Sequence, residues 1–281
     1  MKKVIAFGVV AALAVLWNIT VVYVDAQFEK RDFSAVYDNC HKIWSSRGLY
    51  NTHDERNSIT AFKRAFGRGA NGAEVDFHYD AKMNRFIISH GHPKKDANGD
   101  YIYPKKEGRI LTLEALFSAA GEGHYFWLDY KNLEHLTAAE TAQAINRLKS
   151  ITEDDAIRDR LYIEASNPLA LSRYTDAGFK TILGIHPLSE KNIFSSLVIN
   201  AYKIAYYFNS ITALAMPYGS VDNPVYGKRA EERFGSIPVF LFHVPVNDSL
   251  LNELVRKNSV RVILAGRDKS IDRFDINNCG K

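Results

Sequence analysis

The sequence predicts an α/β protein built as a (β/α)8 TIM barrel, and three observations support this class. Eight short apolar runs alternate with polar turns and amphipathic stretches, which favours parallel strands joined by helical crossovers. The region that carries them, residues 41–281, is close to the usual barrel length of about 250 residues. With 46% hydrophobic and 24% charged residues, the composition excludes an intrinsically disordered chain. A doubly wound open sheet is the structural alternative.

An apolar segment precedes the predicted barrel. Lys2 and Lys3 are followed by residues 4–24, which are almost wholly apolar and long enough to cross a hydrocarbon core of about 30 Å. We therefore expect residues 1–26 to be an uncleaved signal anchor, with a cleaved signal peptide and a secreted protein as the alternative. The lysines favour the cytoplasmic side of a membrane. Residues 27–40, a polar tether, and the barrel are then expected outside the cytoplasm, in the periplasm or the extracellular space.

The elements of the barrel can be placed from their apolar patterns. The eight candidate strands are residues 43–47, 73–79, 125–130, 161–166, 181–186, 213–217, 239–244 and 261–265. A further run at 86–90 follows the second strand closely and is typical of the return arm of a hairpin. Clear helical patterns lie at 112–120, 137–148, 202–208 and 249–257. Another helix is expected after Ser58, because serine is a favoured N-cap residue and an apolar face follows it.

Two cysteines, Cys40 and Cys279, lie at the two ends of the predicted barrel. Cys40 precedes the first strand and Cys279 follows the last helix, so a closed barrel would bring them to the same end. A compartment outside the cytoplasm tolerates disulfides. The sequence therefore predicts a Cys40–Cys279 bridge, with two separate thiols as the alternative.

Acidic residues on two neighbouring strands indicate a metal site. Side chains alternate along a strand, so Glu74, Asp76 and His78 share one face of the second strand. Two carboxylates inside a barrel are unfavourable unless a cation binds them, and oxygen ligands suit Mg²⁺ or Ca²⁺. Asp129, on the third barrel strand, could complete the ligand set. The alternative is an ion pair with an arginine or lysine inside the barrel.

Basic residues and a histidine at strand ends indicate phosphate chemistry. Arg47 ends the first strand, where its guanidinium suits bidentate contact with phosphate oxygens, and Gly48 allows a sharp turn after it. Lys131 follows Asp129 by two residues and could neutralise a bound phosphate. His90 stands at the end of the hairpin arm and is a suitable acid or base for cleaving a phosphoester.

Five motifs in order resemble the glycerophosphodiester phosphodiesterase family. They are Ser46-Arg47-Gly48, Asn57-Ser58 with Ala61-Phe62, Glu74-x-Asp76, His90, and Asp129-x-Lys131. The resemblance covers about residues 43–131, and beyond it the later strands fit only as a barrel pattern. It implies a TIM barrel, a divalent metal held by Glu74, Asp76 and Asp129, and phosphate contacts from Arg47 and Lys131. The implied activity is metal-dependent cleavage of glycerophosphodiesters or phospholipid headgroups.

The chain also departs from that family. The first catalytic histidine is replaced by Ser46, whose hydroxyl cannot serve as a general acid or base at neutral pH. His53, in the loop above the barrel, could substitute, and so could His92. A family glutamate is replaced by Arg56. The Asp129-x-Lys131 pair and His90-Gly91 are similar to the related sphingomyelinase D group, whose members often form a cyclic phosphate by attack of a substrate hydroxyl.

The remaining candidates concern substrate binding and other functions. Glu164 and Ser166 share a face near the end of the fourth strand and could line the substrate pocket. The insertion 93–109 is expected to lie over the active-site face, as a solvated loop or as a contact for anionic headgroups. His186 and His243 end later strands, where a structural role is at least as plausible as catalysis. The 36 basic and 32 acidic residues show no concentrated basic stripe, so we expect no nucleic-acid partner.

Two other functions stay open at this point. Loss of the histidine at position 46 could have left a barrel that binds a phosphorylated ligand without turning it over. A glycosidase that uses Glu74 with another carboxylate is a weaker alternative. Two acids two residues apart on one strand suit metal binding better than they suit flanking a sugar bond.

Overall fold

The computed structural model describes residues 2–99, 101–153 and 155–265. Its strands are, in chain order, β1 (Ile43–Ser46), β2 (Gly72–Asp80), β3 (Arg85–Ile88), β4 (Lys94–Lys95), β5 (Tyr101–Ile102), β6 (Tyr125–Tyr130), β7 (Leu161–Ala165), β8 (Lys180–Gly184), β9 (Ala213–Pro217), β10 (Gly219–Ser220), β11 (Asn223–Pro224), β12 (Val239–Phe242) and β13 (Val260–Ala265). Its helices are α1 (Lys2–Phe28), α2 (Ile59–Gly67), α3 (Leu113–Ala120), α4 (Ala138–Ile151), α5 (Asp155–Arg158), α6 (Pro168–Asp176), α7 (Ser195–Phe208), α8 (Lys228–Phe234) and α9 (Asp248–Arg256).

Eight parallel strands close into a barrel. The order around it is β1, β2, β6, β7, β8, β9, β12 and β13, and β1 pairs with both β2 and β13. This closure confirms the predicted TIM barrel and shows that the open-sheet alternative is wrong. The strand β3 pairs antiparallel with β2, as expected for the arm of a hairpin. Two short hairpins, β4–β5 and β10–β11, were not expected from the sequence.

Local signals explain where several helices begin. The Ser58 side chain accepts from the N–H of Ala61 at the start of α2, as predicted. Thr137 forms a reciprocal capping box with Glu140 at the start of α4. The helix α6 was not predicted, although it begins with an Asn167 cap and a proline in its first turn.

Aromatic side chains fill the end of the barrel at which the strands begin. Trp44, Trp127, Tyr162 and Phe240 are at most 1% exposed, so no water-filled channel passes between them. Tyr37 closes this end from below: its N–H donates to the Tyr162 hydroxyl at 2.8 Å, and its ring packs edge-on against Trp44. The chemistry is thereby confined to the opposite end.

The segment 27–40 is not the free tether that its polar sequence suggested. Phe33, Val36 and Tyr37 are each less than 10% exposed and pack into the barrel. The physical reason is spacing: the apolar side chains are separated by polar ones in the sequence but meet the core on one side. This segment therefore belongs to the folded body.

The helix α1 ends at Phe28, and the non-helical segment 29–42 connects it to the first barrel strand. Residues Gly8–Phe28 form the one helix in the described part of the chain that is long and apolar enough to cross a membrane. Its last turns pack on α7, because Val24 and Phe28 are buried and Asp25 forms an ion pair with Lys203. By length and composition α1 fits a signal anchor or a signal peptide. Cys279 lies outside the described residues, so the bridge to Cys40 stays a prediction.

Candidate active site

Three carboxylates converge where the barrel strands end. Glu74 and Asp76 lie on β2, and Asp129 lies directly opposite Asp76 on the paired strand β6. Each offers an oxygen, and the three oxygens lie within 4.8 Å of one another. Side chains on β2 alternate, which is why Val75 between the two acids enters the outer hydrophobic core instead. The structure thus brings together the three acids that the sequence proposed as metal ligands.

Arg47 and Lys131 lie directly on these carboxylates. The Arg47 Nε is 2.8 Å from Asp76 Oδ2 and 3.9 Å from Glu74 Oε2. The Lys131 Nζ is 2.7 Å from Asp76 Oδ1 and also pairs with Asp129. The two side chains proposed to contact phosphate therefore share one cluster with the proposed metal ligands. A ligand that moves Arg47 and Lys131 off the carboxylates leaves those carboxylates without positive partners, so a cation must take the place of the two side chains.

A strained turn holds Arg47 in place. Its backbone φ is 62°, a left-handed conformation that is uncommon for a residue with a side chain. Gly48 follows with a φ of 82°, and a Cβ there would come within 2.7 Å of the Ala61 backbone and side chain. The Arg47 N–H donates to the Glu74 carbonyl, and the Arg47 carbonyl accepts from Asn57. Such strain persists only where the surroundings enforce it, and it clusters at functional sites.

Asn57 is a site residue that the sequence analysis did not single out. Its Nδ2 donates to Asp76 Oδ2 at 2.8 Å, and its Oδ1 accepts from the Asp76 N–H at 3.3 Å. It is only 2% exposed. Asn57 therefore fixes the rotamer of the central carboxylate. The available signal was its place in the Asn57-Ser58 motif, just before the helix α2.

The pKa values of the three acids are shifted in different directions by burial, by mutual repulsion and by the neighbouring cations. Burial first, and then the Asp76 charge, raises the pKa of Glu74 to about 8. Burial, opposed by Lys131, raises the pKa of Asp129 to about 6. Burial also opposes ionisation of Asp76, but Lys131 and Arg47 hold its pKa below the ordinary value. Asp76 is therefore the permanent anion of the cluster.

The donor set fits a divalent cation. Glu74, Asp76 and Asp129 supply only hard oxygen ligands, which Mg²⁺ and Ca²⁺ prefer. Three carboxylates face two cations, Arg47 and Lys131, so full ionisation of the acids would leave one negative charge without a partner in the cluster. A bound dication would stabilise Glu74 and Asp129 in the charged form. The structure therefore contains the ion pairs that the sequence analysis posed as the alternative, and the same three acids also fit a metal.

Ser46 occupies the position of the missing histidine. Its hydroxyl donates to Glu74 Oε2 at 2.5 Å, and it lines the cavity above the acids. A hydroxyl engaged in this way orients a candidate metal ligand. It does not supply a proton to a leaving group at neutral pH.

The two histidines proposed as catalytic lie in different settings. His90 is exposed at the rim, and the N–H of its neighbour Ser89 donates to the Asp76 carbonyl. Partial burial lowers the pKa of His90, and the Asp76 charge opposes this. His53 lies in a single 3₁₀ turn, His53–Glu55, and is exposed. Neither His53 nor His90 is among the residues that line the cavity above the acids.

A cavity of about 370 Å³ lies over the acidic cluster. Glu164 and Ser166 line it, together with His186 and His243, which end the strands on the far side. The Trp127 indole N–H donates to Glu164. Burial, and then the Asp129 charge, raise the pKa of Glu164 well above its usual range.

A second cavity, of about 710 Å³, lies beside the first. His78, His92 and the insertion residues Tyr101 and Tyr103 line it, and Tyr103 donates to Asp80 at the end of β2. His78 is buried, its Nε2 has no hydrogen-bond partner in the structure, and burial lowers its pKa to about 4. The insertion thus forms a wall beside the site, on the face where the sequence placed it.

Comparisons with known proteins were made for both the sequence and the fold. No family model matches the sequence, and no curated protein matches it. Among solved structures, one assigned as a glycerophosphodiester phosphodiesterase from Galdieria sulphuraria superposes with a TM-score of 0.59 at 15% identity, over 80% of this chain and 93% of that one. Glycerophosphodiester phosphodiesterases from Parabacteroides distasonis and Agrobacterium tumefaciens give TM-scores of 0.56 and 0.54.

The fold is that of glycerophosphodiester phosphodiesterases. The Parabacteroides match has 16% identity and covers 85% of this chain and 95% of that one. The Agrobacterium match has 12% identity and covers 84% and 99%. At these identities the likeness concerns architecture. The resemblance that the five motifs suggested is thus confirmed for the fold, over a longer part of the chain than the motifs span.

Proposed function

We propose that this protein is a metal-dependent phosphodiesterase that acts on glycerophosphodiesters or phospholipid headgroups. The observation that carries the proposal is the convergence of Glu74, Asp76 and Asp129 with Arg47 and Lys131 at one mouth of the barrel. Three acids suit a cation, and two bases beside them suit an anion that binds at the same point. A phosphodiester with a divalent cation meets both requirements.

The proposed mechanism assigns each charged residue a role. Glu74, Asp76 and Asp129 would hold Mg²⁺ or Ca²⁺, which supplies Lewis-acid polarisation of the phosphoryl oxygens. Arg47 and Lys131 would then turn from the carboxylates toward the phosphate and stabilise the charge that develops on it.

Proton transfer is the step that the chain's substitutions alter most. His90 would exchange a proton at one side of the phosphorus centre, as the family resemblance implies. His90 lies at the rim, next to Ser89, which bonds the Asp76 backbone, and like His53 it is not among the residues that line the cavity. On the other side of the phosphorus centre Ser46 replaces a histidine. The histidines that do line the cavity are His186 and His243, and we assign the second proton transfer to this pair.

The attacking hydroxyl distinguishes two forms of the reaction. Attack by water gives hydrolysis, whereas attack by a substrate hydroxyl gives a cyclic phosphate and releases the headgroup. Glu164 and Ser166 line the cavity in which such a substrate hydroxyl would lie. Phosphorus-31 spectra of the products separate the two forms.

Activity assays with soluble diesters test the proposal. The purified chain is incubated with Mg²⁺ or Ca²⁺ and either glycerophosphocholine or bis(p-nitrophenyl) phosphate. We expect turnover that EDTA abolishes and that Asp129→Asn and Lys131→Met each reduce by at least about 10²-fold. Glu122→Gln, an exposed change on another part of the barrel, is the matched control and should keep full activity.

The second candidate function is a barrel that binds a phosphorylated ligand without turnover. The observation that favours it is Ser46, which removes one acid–base group. No turnover of the native chain with either metal, together with turnover by Ser46→His, supports this candidate over the enzyme. Diester turnover that survives a chelator excludes the metal-dependent mechanism. Cleavage of a glycoside in the presence of the chelator favours the glycosidase alternative.

The cellular setting is part of the same proposal. The helix α1 would anchor the protein in a membrane with the barrel outside the cytoplasm, in the periplasm or the extracellular space. Its length and apolar sequence support this. The position of Lys2 and Lys3 before the apolar segment supports the orientation.

A further inference from the structure

The second cavity adjoins the acidic cluster on the side of β2. On this strand His78 follows Asp76 by two residues on the same face, which places it about 7 Å further along the strand. In the segment after β6, Lys131 lines the first cavity, over the acids, whereas the next residue, Asn132, lines the second. The two cavities therefore lie on either side of the segment that carries Lys131.

Hydrogen bonds hold the walls of the second cavity in place. The Asn132 side chain exchanges two hydrogen bonds of 2.9 Å with the backbone of Tyr79. The Tyr103 hydroxyl donates to Asp80 at 2.9 Å, which ties the insertion to the end of β2. The volume of about 710 Å³ lies in the range of small-molecule sites, about 300–1,000 Å³. The cavity is thus a fixed part of the fold and is large enough for a small organic group.

One buried polar atom in the wall of this cavity has no partner. His78 lines the cavity and is 1% exposed, and its Nε2 forms no hydrogen bond within the described part of the chain. A buried nitrogen left unsatisfied is unfavourable and calls for an explanation. A ligand hydroxyl can donate to this nitrogen or accept from it, so it satisfies the ring in either tautomer. The exposed His92 ring, 5.8 Å from that of His78, is the neighbour that can turn aside to admit a ligand.

The charges around the second cavity balance. Asp80, Glu140 and Lys82 line it, and the Lys95 Nζ lies 5.0 Å from the centre of the Tyr101 ring, which also lines it. A cationic group would meet two lysines there, and an anionic group would meet two carboxylates. A neutral group rich in hydroxyls avoids both, and the imidazole and phenol groups of the walls can hydrogen-bond to it. A polyol is therefore the class of ligand that the lining fits.

The second cavity lies on the His90 side of the proposed phosphate position. His90 precedes His92, which lines this cavity, by two residues, whereas His186 and His243 line the first cavity. In a displacement at phosphorus the attacking and leaving oxygens lie roughly in line, on opposite sides of the phosphorus atom. An ester arm in the second cavity is therefore opposite a nucleophile that enters from the first cavity.

We propose that the second cavity binds a polyol arm of the phosphodiester and that this polyol is the leaving group. The bond between phosphorus and the polyol oxygen breaks, and that oxygen departs with a proton from His90. The oxygen of water, or of a substrate hydroxyl, forms the new bond to phosphorus from the first cavity and gives its proton to the pair His186 and His243. The leaving-group role rests on the proposed function, whereas the affinity of the cavity for a polyol does not.

The products formed from glycerophosphocholine test this proposal, because that diester has one neutral polyol arm and one cationic arm. With Mg²⁺ or Ca²⁺, we expect the native chain to release glycerol, leaving phosphocholine, at least about tenfold faster than it releases choline. Phosphorus-31 spectra separate phosphocholine from the glycerol phosphates.

Two variants and a matched control make the test specific. His78→Phe keeps a ring of similar shape and removes the unpartnered nitrogen, and Tyr101→Ala removes part of the insertion wall. Each should lower the ratio of glycerol release to choline release at least about tenfold, so either one decides if the other does not fold. His124→Phe lies where β6 begins, at the other end of the barrel, stacked on Phe66. It should keep the native ratio.

A binding measurement separates this proposal from the proposed function. Saturation-transfer difference spectra with myo-inositol, which need neither metal nor turnover, should show binding to the native chain and at least about a fivefold weaker signal with His78→Phe. Inositol binding that depends on His78, without hydrolysis of any diester, refutes the proposed function and keeps the second cavity as a polyol site. Hydrolysis with choline as the main leaving group, or an unchanged product ratio in the folded variants, overturns this inference and keeps the phosphodiesterase.

Discussion

Raising the pH should destabilise the metal-free protein through Glu74. In the folded state its pKa is raised from 4.5 to about 8, first by burial and then by the Asp76 charge. Between these values the folded state binds a proton that the unfolded state has lost. The free energy of unfolding therefore decreases as the pH rises through this window and is highest below it. Asp129, with a pKa raised from 3.8 to about 6, adds the same sign over the lower part of the window.

The magnitude follows from proton linkage. One proton difference between the two states changes the free energy of unfolding by about 1.4 kcal/mol per pH unit. The Glu74 residue is only 6% exposed, so solvent screens this effect little. We measure urea unfolding in EDTA at pH 5, 6, 7 and 8. The slope of stability against pH should be more negative in the native chain than in Glu74→Gln, by up to about 1.4 kcal/mol per unit. His78 and Lys42, whose pKa values burial lowers to about 4 and about 8, contribute the opposite sign equally in both proteins.

Two comparisons make this measurement specific. Glutamine keeps an acceptor for the Ser46 hydroxyl, and the exposed Glu122→Gln should retain the native slope. Added Mg²⁺ or Ca²⁺ should stabilise the native chain more at pH 8 than at pH 5, because ligands must lose their protons to bind a metal. Identical slopes for the native chain and Glu74→Gln between pH 5 and 8 would refute the reasoning.

Three further substitutions have defined outcomes. Ser46→His should raise turnover of bis(p-nitrophenyl) phosphate at least about tenfold by restoring an acid–base group, and an unchanged rate contradicts this. Asn57→Ala removes both hydrogen bonds to Asp76. It should lower the free energy of unfolding in urea by about 1–3 kcal/mol and weaken metal binding, measured by calorimetry, about tenfold or more. Native metal affinity in this variant would show that Asp76 keeps its rotamer without Asn57. Gly48→Ala should lower the melting temperature and the activity because of its left-handed φ and its contact with α2, whereas Gly67→Ala, in open space within the same helix, should raise the melting temperature.

The barrel could be predicted from the sequence because its signals are local. All eight strands appear as short apolar runs, and 125–130 and 213–217 match β6 and β9 in both bounds. Period-two alternation was enough to place Glu74 and Asp76 on one face. Closure of the barrel then brought Asp129 beside them, since β6 pairs with β2.

What the sequence could not supply depends on contacts between distant residues. Asn57 is one polar residue before a helix, and only the folded chain shows that it holds Asp76. The burial of Phe33 and Tyr37 depends on their meeting the barrel floor, which their polar neighbours conceal. His53 could be placed in a loop but not relative to a cavity. The charge balance among Arg47, Lys131 and the four carboxyl groups of the site likewise depends on distances between these groups, which only the folded chain provides.

The contact between the end of α1 and the barrel constrains when α1 could be cleaved. The peptide bonds around Ala26 lie inside a continuous helix, between a fully buried Val24 and a Phe28 that is 5% exposed. A processing protease requires an extended strand of substrate, which this region offers only before the barrel has formed. Were α1 a signal peptide, its cleavage would therefore have to precede folding of the barrel. A chain that folds with α1 in place would keep the helix, as a signal anchor does.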